Sequence, residues 1–190
     1  MRPNEGINME KRKNILQTVM SGGATKAVYI SQEQIVLSAD FRKICETNQC
    51  GGYGRCWMCP PFIGEINELM ETVRSYPGAI LYQTIHEIED SFDIEGMFDA
   101  GKKHAQISVK IEEMLRQKAV SDYLHLSCGG CHVCEICAKK TDEPCRFPDK
   151  ALSSVEGYGV DVYNTTKDTP LKYINGQNTV TYFGMVLFKE

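Results

Sequence analysis

Eight of the nine cysteines in this 190-residue chain stand in two compact sets, and that grouping limits its possible folds more than any other feature. One set is Cys45, Cys50, Cys56 and Cys59, closing on Pro60-Pro61. The other is Cys128, Cys131, Cys134 and Cys137, with Cys145 following. Spacing of this kind wraps thiolates around metal, and the rest of the chain must frame the two loops.

The expected compartment sharpens that reading. Net charge is −4, so there is no basic footprint for nucleic acid. No apolar run approaches the ~20 residues of a membrane span. The polar stretch 1–14 lacks the apolar segment of a signal peptide. These features predict a cytoplasmic protein with neither nucleic-acid nor membrane partners. In a reducing cytosol, clustered thiols are metal ligands more often than disulfides. A disulfide scaffold would also be expected in a shorter, secreted chain.

Residues 1–14 read as a flexible lead. Residues 15–190 read as one metal-binding domain with cysteine loops at 45–61 and 128–148. Residues 27–30 are a strand candidate, and 35–37 an extended piece leading toward Cys45. Ile63, Ile66, Leu69, Met70 and Val73 recur at helical spacing over 63–76, and Pro77-Gly78 ends that helix. Residues 79–85 read as a strand. Residues 94–119 are the longest helix, on a stripe from Met97 through Ala100, His104 and Ile111 to Leu115. A short strand at 122–127 feeds the second cysteine set, and 149–156 reads as a short helix. Asn175-Gly176 is a turn signal. Residues 179–188, β-branched and aromatic, are the strongest strand. Such alternation predicts an α/β or α+β fold: a compact single domain with a mixed sheet flanked by helices and two cysteine-rich loops.

The first set spans fifteen residues as Cys-x4-Cys-x5-Cys-x2-Cys, with Gly51, Gly52 and Gly54 between the thiols. Glycines let the backbone wrap tightly and turn amides inward. An iron–sulfur cluster needs soft thiolates and inward N–H groups, and Pro60 after the last cysteine matches the Cys-Pro ending of ferredoxin loops. Trp57 and Phe62 are placed to shield the site. A zinc knuckle is the alternative, although only Cys56-x2-Cys59 has the paired spacing of zinc sites.

In the second set Cys128, Cys131, Cys134 and Cys137 follow at steps of three, a ferredoxin-type grip. With Cys145, five thiols compete for four positions. The favoured ligands are Cys131, Cys134, Cys137 and Cys145, with Cys128 a possible alternate; Cys128 in place of Cys145, or Cys145 crossing to the other site, also fits. Cys128-Gly-Gly-Cys131-His132 also matches a haem-attachment pattern, and Cys128-Gly-Gly-Cys131 a redox pair. Neither explains the longer run. Arg42, Lys43, Arg55, Lys139, Lys140 and Arg146 flank the sets and would offset cluster charge. There is no Gly-Lys-Ser/Thr phosphate loop, no dinucleotide fingerprint and no His-Glu-x-x-His.

The stretches Cys50-Gly-Gly-Tyr-Gly-Arg-Cys-Trp-Met-Cys-Pro-Pro61, Cys131-His-Val-Cys-Glu-Ile-Cys137, Pro144-Cys-Arg-Phe-Pro148 and Glu156-Gly-Tyr-Gly-Val-Asp161 carry a resemblance. Over most of its length from about residue 26, the chain resembles a family of predicted metal-binding proteins of unknown function, common in anaerobic bacteria and archaea. The resemblance implies iron–sulfur clusters in a small cytosolic protein. By motif, the first site would use Cys45, Cys50 and Cys59 with Cys56 as the fourth. The second would use Cys131, Cys134, Cys137 and Cys145. Cys128 falls where a small residue is expected. The residues and the resemblance together predict two 4Fe-4S clusters, or zinc as the alternative. The expected role is an electron-transfer or redox-accessory protein that docks to a redox partner or larger enzyme. Two alternatives stand beside it: a cluster enzyme that binds substrate at an open iron, and a non-redox zinc scaffold.

Overall fold

The computed structural model describes residues 3–189. Its centre is a four-stranded sheet of β1 (Lys26–Ser31), β2 (Gly78–Glu87), β3 (Tyr123–Leu126) and β4 (Thr179–Phe188). The spatial order is β1-β2-β4-β3, and each neighbouring pair is antiparallel. The fold is thus the α+β form of the expectation, and among the described residues the one parallel contact is an isolated bridge between Ser127 and Ser154. Among the described residues, five α-helices accompany the sheet: α1 (Pro3–Gly22), α2 (Asp40–Glu46), α3 (Ile66–Arg74), α4 (Ile94–Gln117) and α5 (Val162–Thr166).

Alternation along the two central strands separates two apolar layers. Ala79 and Leu81 of β2, with Phe183, Met185 and Leu187 of β4, face a layer completed by Val73 of α3, Val162 of α5, and Val155 and Val160. Ile80 and Tyr82, with Val186 and Phe188, face Ile15 and Val19 of α1 and Ile111 and Leu115 of α4. A sheet covered on both faces reads as continuous apolar runs, which is why β2 and β4 stand out in the sequence.

Residues 1–14 are expected as a flexible lead; of these, 3–14 lie in α1. The helix is held where its apolar residues begin: Ile15 and Val19 are fully buried, and Lys118 donates to the Thr18 hydroxyl at 2.8 Å. The polar preceding residues carry no apolar stripe, so periodicity gave no signal for this helix.

Between α4 and the sheet lies a buried polar chain. His86 Nε2 is 2.9 Å from Thr84 Oγ1, which is 2.8 Å from His104 Nδ1. Ser108, one turn on from His104, is 2.8 Å from the Tyr82 hydroxyl. That hydroxyl is also 2.8 Å from His125 Nε2, and His125 Nδ1 is 3.1 Å from Glu112. Burial works against the Glu112 carboxylate, but His125, Arg116 and Tyr123 together hold it below the usual range. Partnering at every step makes such a chain compatible with a core.

His104 is fully buried, and burial depresses its pKa to about 3, with the charges of His86 and His125 adding to the effect. The folded state therefore keeps this imidazole neutral while the unfolded chain takes up a proton below about 6.5. Stability is lost as pH falls from about 6.5 toward 3, at about 1.4 kcal/mol per pH unit from this group. His104→Gln should flatten that part of the acid limb in urea titrations of the purified protein.

Gly184 of β4 lies under the Tyr82 ring, where a Cβ would come within 2.2 Å of its hydroxyl and Cζ. Tyr82 cannot retreat, because Ser108 and His125 hold its hydroxyl. Gly184→Ala should cost about 1–3 kcal/mol, read as a lower denaturant midpoint.

Candidate metal centre

Residues 153–161 bring the two cysteine loops together. On one side Ser127 N–H donates to the Ser153 carbonyl at 2.9 Å, and Val155 N–H to the Ser127 carbonyl at 2.8 Å. On the other, Leu37 bridges Val160. Ser38 N–H donates to the Gly159 carbonyl, and Asp161 N–H to the Val36 carbonyl, each at 2.8 Å. Ser127 leads into the second loop and Ser38 into α2 and the first. The helix expected over 149–156 is absent: a single turn at 148–150 closes on the Phe147 carbonyl, the chain is then extended where it pairs with Ser127, and Glu156–Tyr158 forms a 3-10 helix. Backbone pairing to two partners outweighs its local helical tendency.

The first loop begins on a helix, since α2 carries Cys45 near its C-terminal end. Asn48 and Gly51 then take left-handed conformations, with φ of 53° and 71°. Asn48 Oδ1 accepts from Tyr53 N–H at 3.0 Å, and Gly54 N–H donates to the Pro60 carbonyl at 2.9 Å. Cys45, Cys50 and Cys59 thereby line one cavity of about 210 Å³ with Tyr53, Ser154 and Glu156. Burial first, then the neighbouring Cys50, pushes the Cys45 thiol up, while Arg42 acts in the other direction. Burial also raises the Glu156 carboxyl, against the Ser154 hydroxyl and the N–H groups of Glu156 and Gly129 around it.

Cys56, grouped by spacing with the first set, sits on the wall of a second cavity with Cys131, Cys134, Cys137 and Cys145. The reason is local. A turn closed by Cys59 N–H on the Cys56 carbonyl at 3.0 Å keeps the two thiols in contact while Cys56 also reaches Cys131. The adjacent Trp57 donates from Nε1 to the Glu143 carbonyl at 2.9 Å, which docks this turn on the second loop. Hydrogen bonds from Cys131 and then Cys59 hold the Cys56 thiol well below its ordinary value. The same contacts, with burial, push Cys59 and Cys131 up. One sulfur thus adjoins both sets.

Cys128 lines neither cavity. Tyr123 and His125 face α4, and Leu124 and Leu126 the opposite layer. The alternation continues beyond β3: Ser127 Oγ donates to Ser108 of α4 at 3.0 Å, and Cys128 packs into the layer with Leu126. Burial pushes its thiol well up, with Glu156 adding to the effect. All nine thiols are unbridged.

The flanking charges divide. Lys139 Nζ sits 4.7 Å from the Trp57 ring centre and 4.4 Å from that of Phe62, and the two rings meet edge-on at 5.1 Å. Lys139 also pairs with Asp142. Arg42 donates to the Gly64 carbonyl at 2.8 Å. Lys43 pairs with Asp40 at the surface. His132 is exposed beside the second cavity. Sequence reasoning gave no role to Glu156, or to Gly129 and Gly130, which also line the first cavity. The only signal for Glu156 was its place at the head of the fourth quoted stretch.

Fold and site together define a cysteine-rich metal-binding domain. The chain belongs to the family described as predicted metal-binding proteins (DUF2284), which it matches over residues 28–188. No curated protein and no solved structure matches it.

The donor chemistry fits the metal that the family implies, because soft thiols dominate both cavities. Among the described residues, no three Cys, His, Asp or Glu side chains close on a point that a single ion would fill. The sulfurs instead lie along cavity walls. The first cavity has room for a polynuclear group. The second, about 10 Å³, is near the lower limit for one water. Its fit rests on the five thiols, two of which, Cys137 and Cys145, lie on a stretch that is mostly exposed from Glu135 to Lys150.

Gly52 is wedged between two sulfurs of the first cavity. A Cβ there would lie 3.1 Å from Cys59 Sγ and 3.7 Å from Cys50 Sγ. Gly52→Ala should reduce the metal bound per chain, measured by elemental analysis, with little change in far-UV circular dichroism.

Proposed function

We propose that this protein binds two iron–sulfur clusters, of 4Fe-4S type, and passes single electrons to a larger redox enzyme. One cluster would be held by Cys45, Cys50 and Cys59. The other would be held by Cys131, Cys134, Cys137 and Cys145, with Cys56 beside them. The observation that carries this reading is the place of Cys56, whose thiol meets both Cys59 and Cys131. Two donor sets that share a sulfur contact are close enough for an internal relay.

When bound, such clusters supply one-electron chemistry over a wide range of potentials. The chain's own residues hold, cover and balance them. Trp57 and Phe62 wall the junction of the loops from water. Lys139 over those rings, and Arg42 beside Cys45, place positive charge near the thiolates, which favours their charged form. The nine free thiols suit a reducing, cytoplasmic setting. No helix among the described residues is long and apolar enough to cross a membrane.

Anaerobic purification tests the proposal. The protein should be brown, with iron and acid-labile sulfide in equal amounts. After dithionite reduction, its EPR spectrum should show two clusters that broaden each other. Cys59→Ala and Cys134→Ala should each remove about half of the iron, one cluster of the two. A colourless protein with stoichiometric zinc and no sulfide would favour the scaffold and reject electron transfer.

A further inference from the structure

We propose that the start of α4 and the turn before it form a docking surface for a partner protein whose contact face is basic around an apolar centre. The inference rests on the electron-transfer reading above and names the face that such a partner would cover.

Apolar exposure is the first support. Phe92, Ile94 and Phe98 are 87%, 63% and 68% exposed. Single exposed apolar residues are ordinary, whereas a group of them marks a contact site. Ile94 and Phe98 are one helical turn apart on the same face. Phe92 directly precedes the N-cap Asp93, where an apolar side chain commonly packs on the fourth helical residue. That residue is Met97, yet Phe92 stays almost wholly in solvent. The turn that displays it is pinned. The Asp93 carboxylate accepts from Glu89 N–H at 3.0 Å and from Gly96 N–H at 2.8 Å. Asp90 accepts from Phe92 N–H at 2.7 Å, and the Tyr182 hydroxyl donates to the Met97 carbonyl at 2.6 Å. A surface held in place before contact loses little freedom on binding.

Charge is the second support. From Glu87 to Asp99 the chain has six carboxylates and no Lys or Arg, while its net charge is only −4. Asp90 and Asp93 turn to the backbone, and Asp99 pairs with Lys102 at 3.0 Å. Glu87, Glu89 and Glu95 are exposed. Their field repels nucleic acid and anionic lipid and attracts a basic protein face.

Position is the third. At about 100° per residue, Ile94, Phe98, Ala105 and Val109 fall within about 60° of one another around α4. Ala105 and Val109 share the wall of a small cavity with Cys131, His132 and Val133. One stripe therefore meets the second cysteine loop at one end and lies bare at the other. Only about 10 Å of helix separates Phe98 from Ala105. A partner seated on Phe98 would sit beside the second thiol set.

The full chain, purified anaerobically, is titrated calorimetrically with cytochrome c, a basic electron acceptor. It should bind at low salt, and about 0.3 M salt should weaken binding at least tenfold, on the order expected for opposed charged faces. Phe98→Ser should weaken it about tenfold, the loss of one anchor. Glu87→Lys with Asp99→Lys should weaken it as much or more. The same charge change on α3, Glu68→Lys with Glu71→Lys, should alter it less than about twofold. Absence of binding, an unaltered Phe98→Ser, or an equal loss in the α3 pair overturns the proposal.

Two other occupants have their own readouts. A wild-type dimer in sedimentation that Phe98→Ser dissociates would assign the patch to a second copy. Binding to phosphatidylcholine vesicles that Phe92→Ser abolishes would assign it to lipid. Either overturns the proposal. Stopped-flow reduction of cytochrome c by the dithionite-reduced protein separates this inference from the one beneath it. A protein without iron whose Phe98→Ser variant still loses cytochrome c rejects the cluster reading and leaves the docking surface standing. One that holds both clusters and transfers electrons at a rate unchanged by Phe98→Ser overturns this inference alone.

Discussion

The arrangement of sulfurs depends on backbone hydrogen bonds made by one irregular segment. Residues 153–161 pair with Ser127 at one end and with residues 36–38 at the other. Each contact fixes the point from which a cysteine loop departs. The bonds are few, but they are anchored. Val155 and Val160 are fully buried in the layer beneath β2 and β4, so breaking the pairing would also expose apolar surface. The loops themselves have little packing of their own. Their position is inherited from the sheet through this splice, and Trp57 on the Glu143 carbonyl adds a direct tie between them.

The frame was legible where burial imposes a pattern. The strands ending in Glu87 and Phe188 carry apolar runs because both their faces are covered, and α3 and α4 carry strong periodicity because each faces one filled layer. The helices α1, α2 and α5 were not legible. The first has few apolar residues before Ile15, and the other two are too short for a stripe to develop. The extended stretch before Glu156 was misjudged because its partners are distant in sequence. Pairing across such distances leaves no local trace.

The site divides in the same way. Sequence identified the thiols, because nothing else in the chain explains so many soft donors together. It could not say which of them share a cavity. Cys56 and Cys59 are three apart and were grouped together; their thiols are in contact, and Cys56 also lines the second cavity against Cys131. Glu156 was invisible as a site residue, since a lone carboxylate acquires meaning only from the walls around it. Proximity along the chain does not reveal that Cys56 also meets Cys131, at the junction of the two loops.

The step from Ser127 to Cys128 has an evolutionary consequence. The first of these neighbours reaches into the polar seam under α4, and the second into the oily layer on the far side. Period-two geometry leaves no intermediate setting. Lengthening β3 by a single residue would reverse the pair, bringing a thiol to the imidazoles and a hydroxyl into hydrocarbon. The strand thus acts as a key cut to one length, and insertions in this lineage should collect in the exposed turns beyond Cys137 rather than ahead of Cys128.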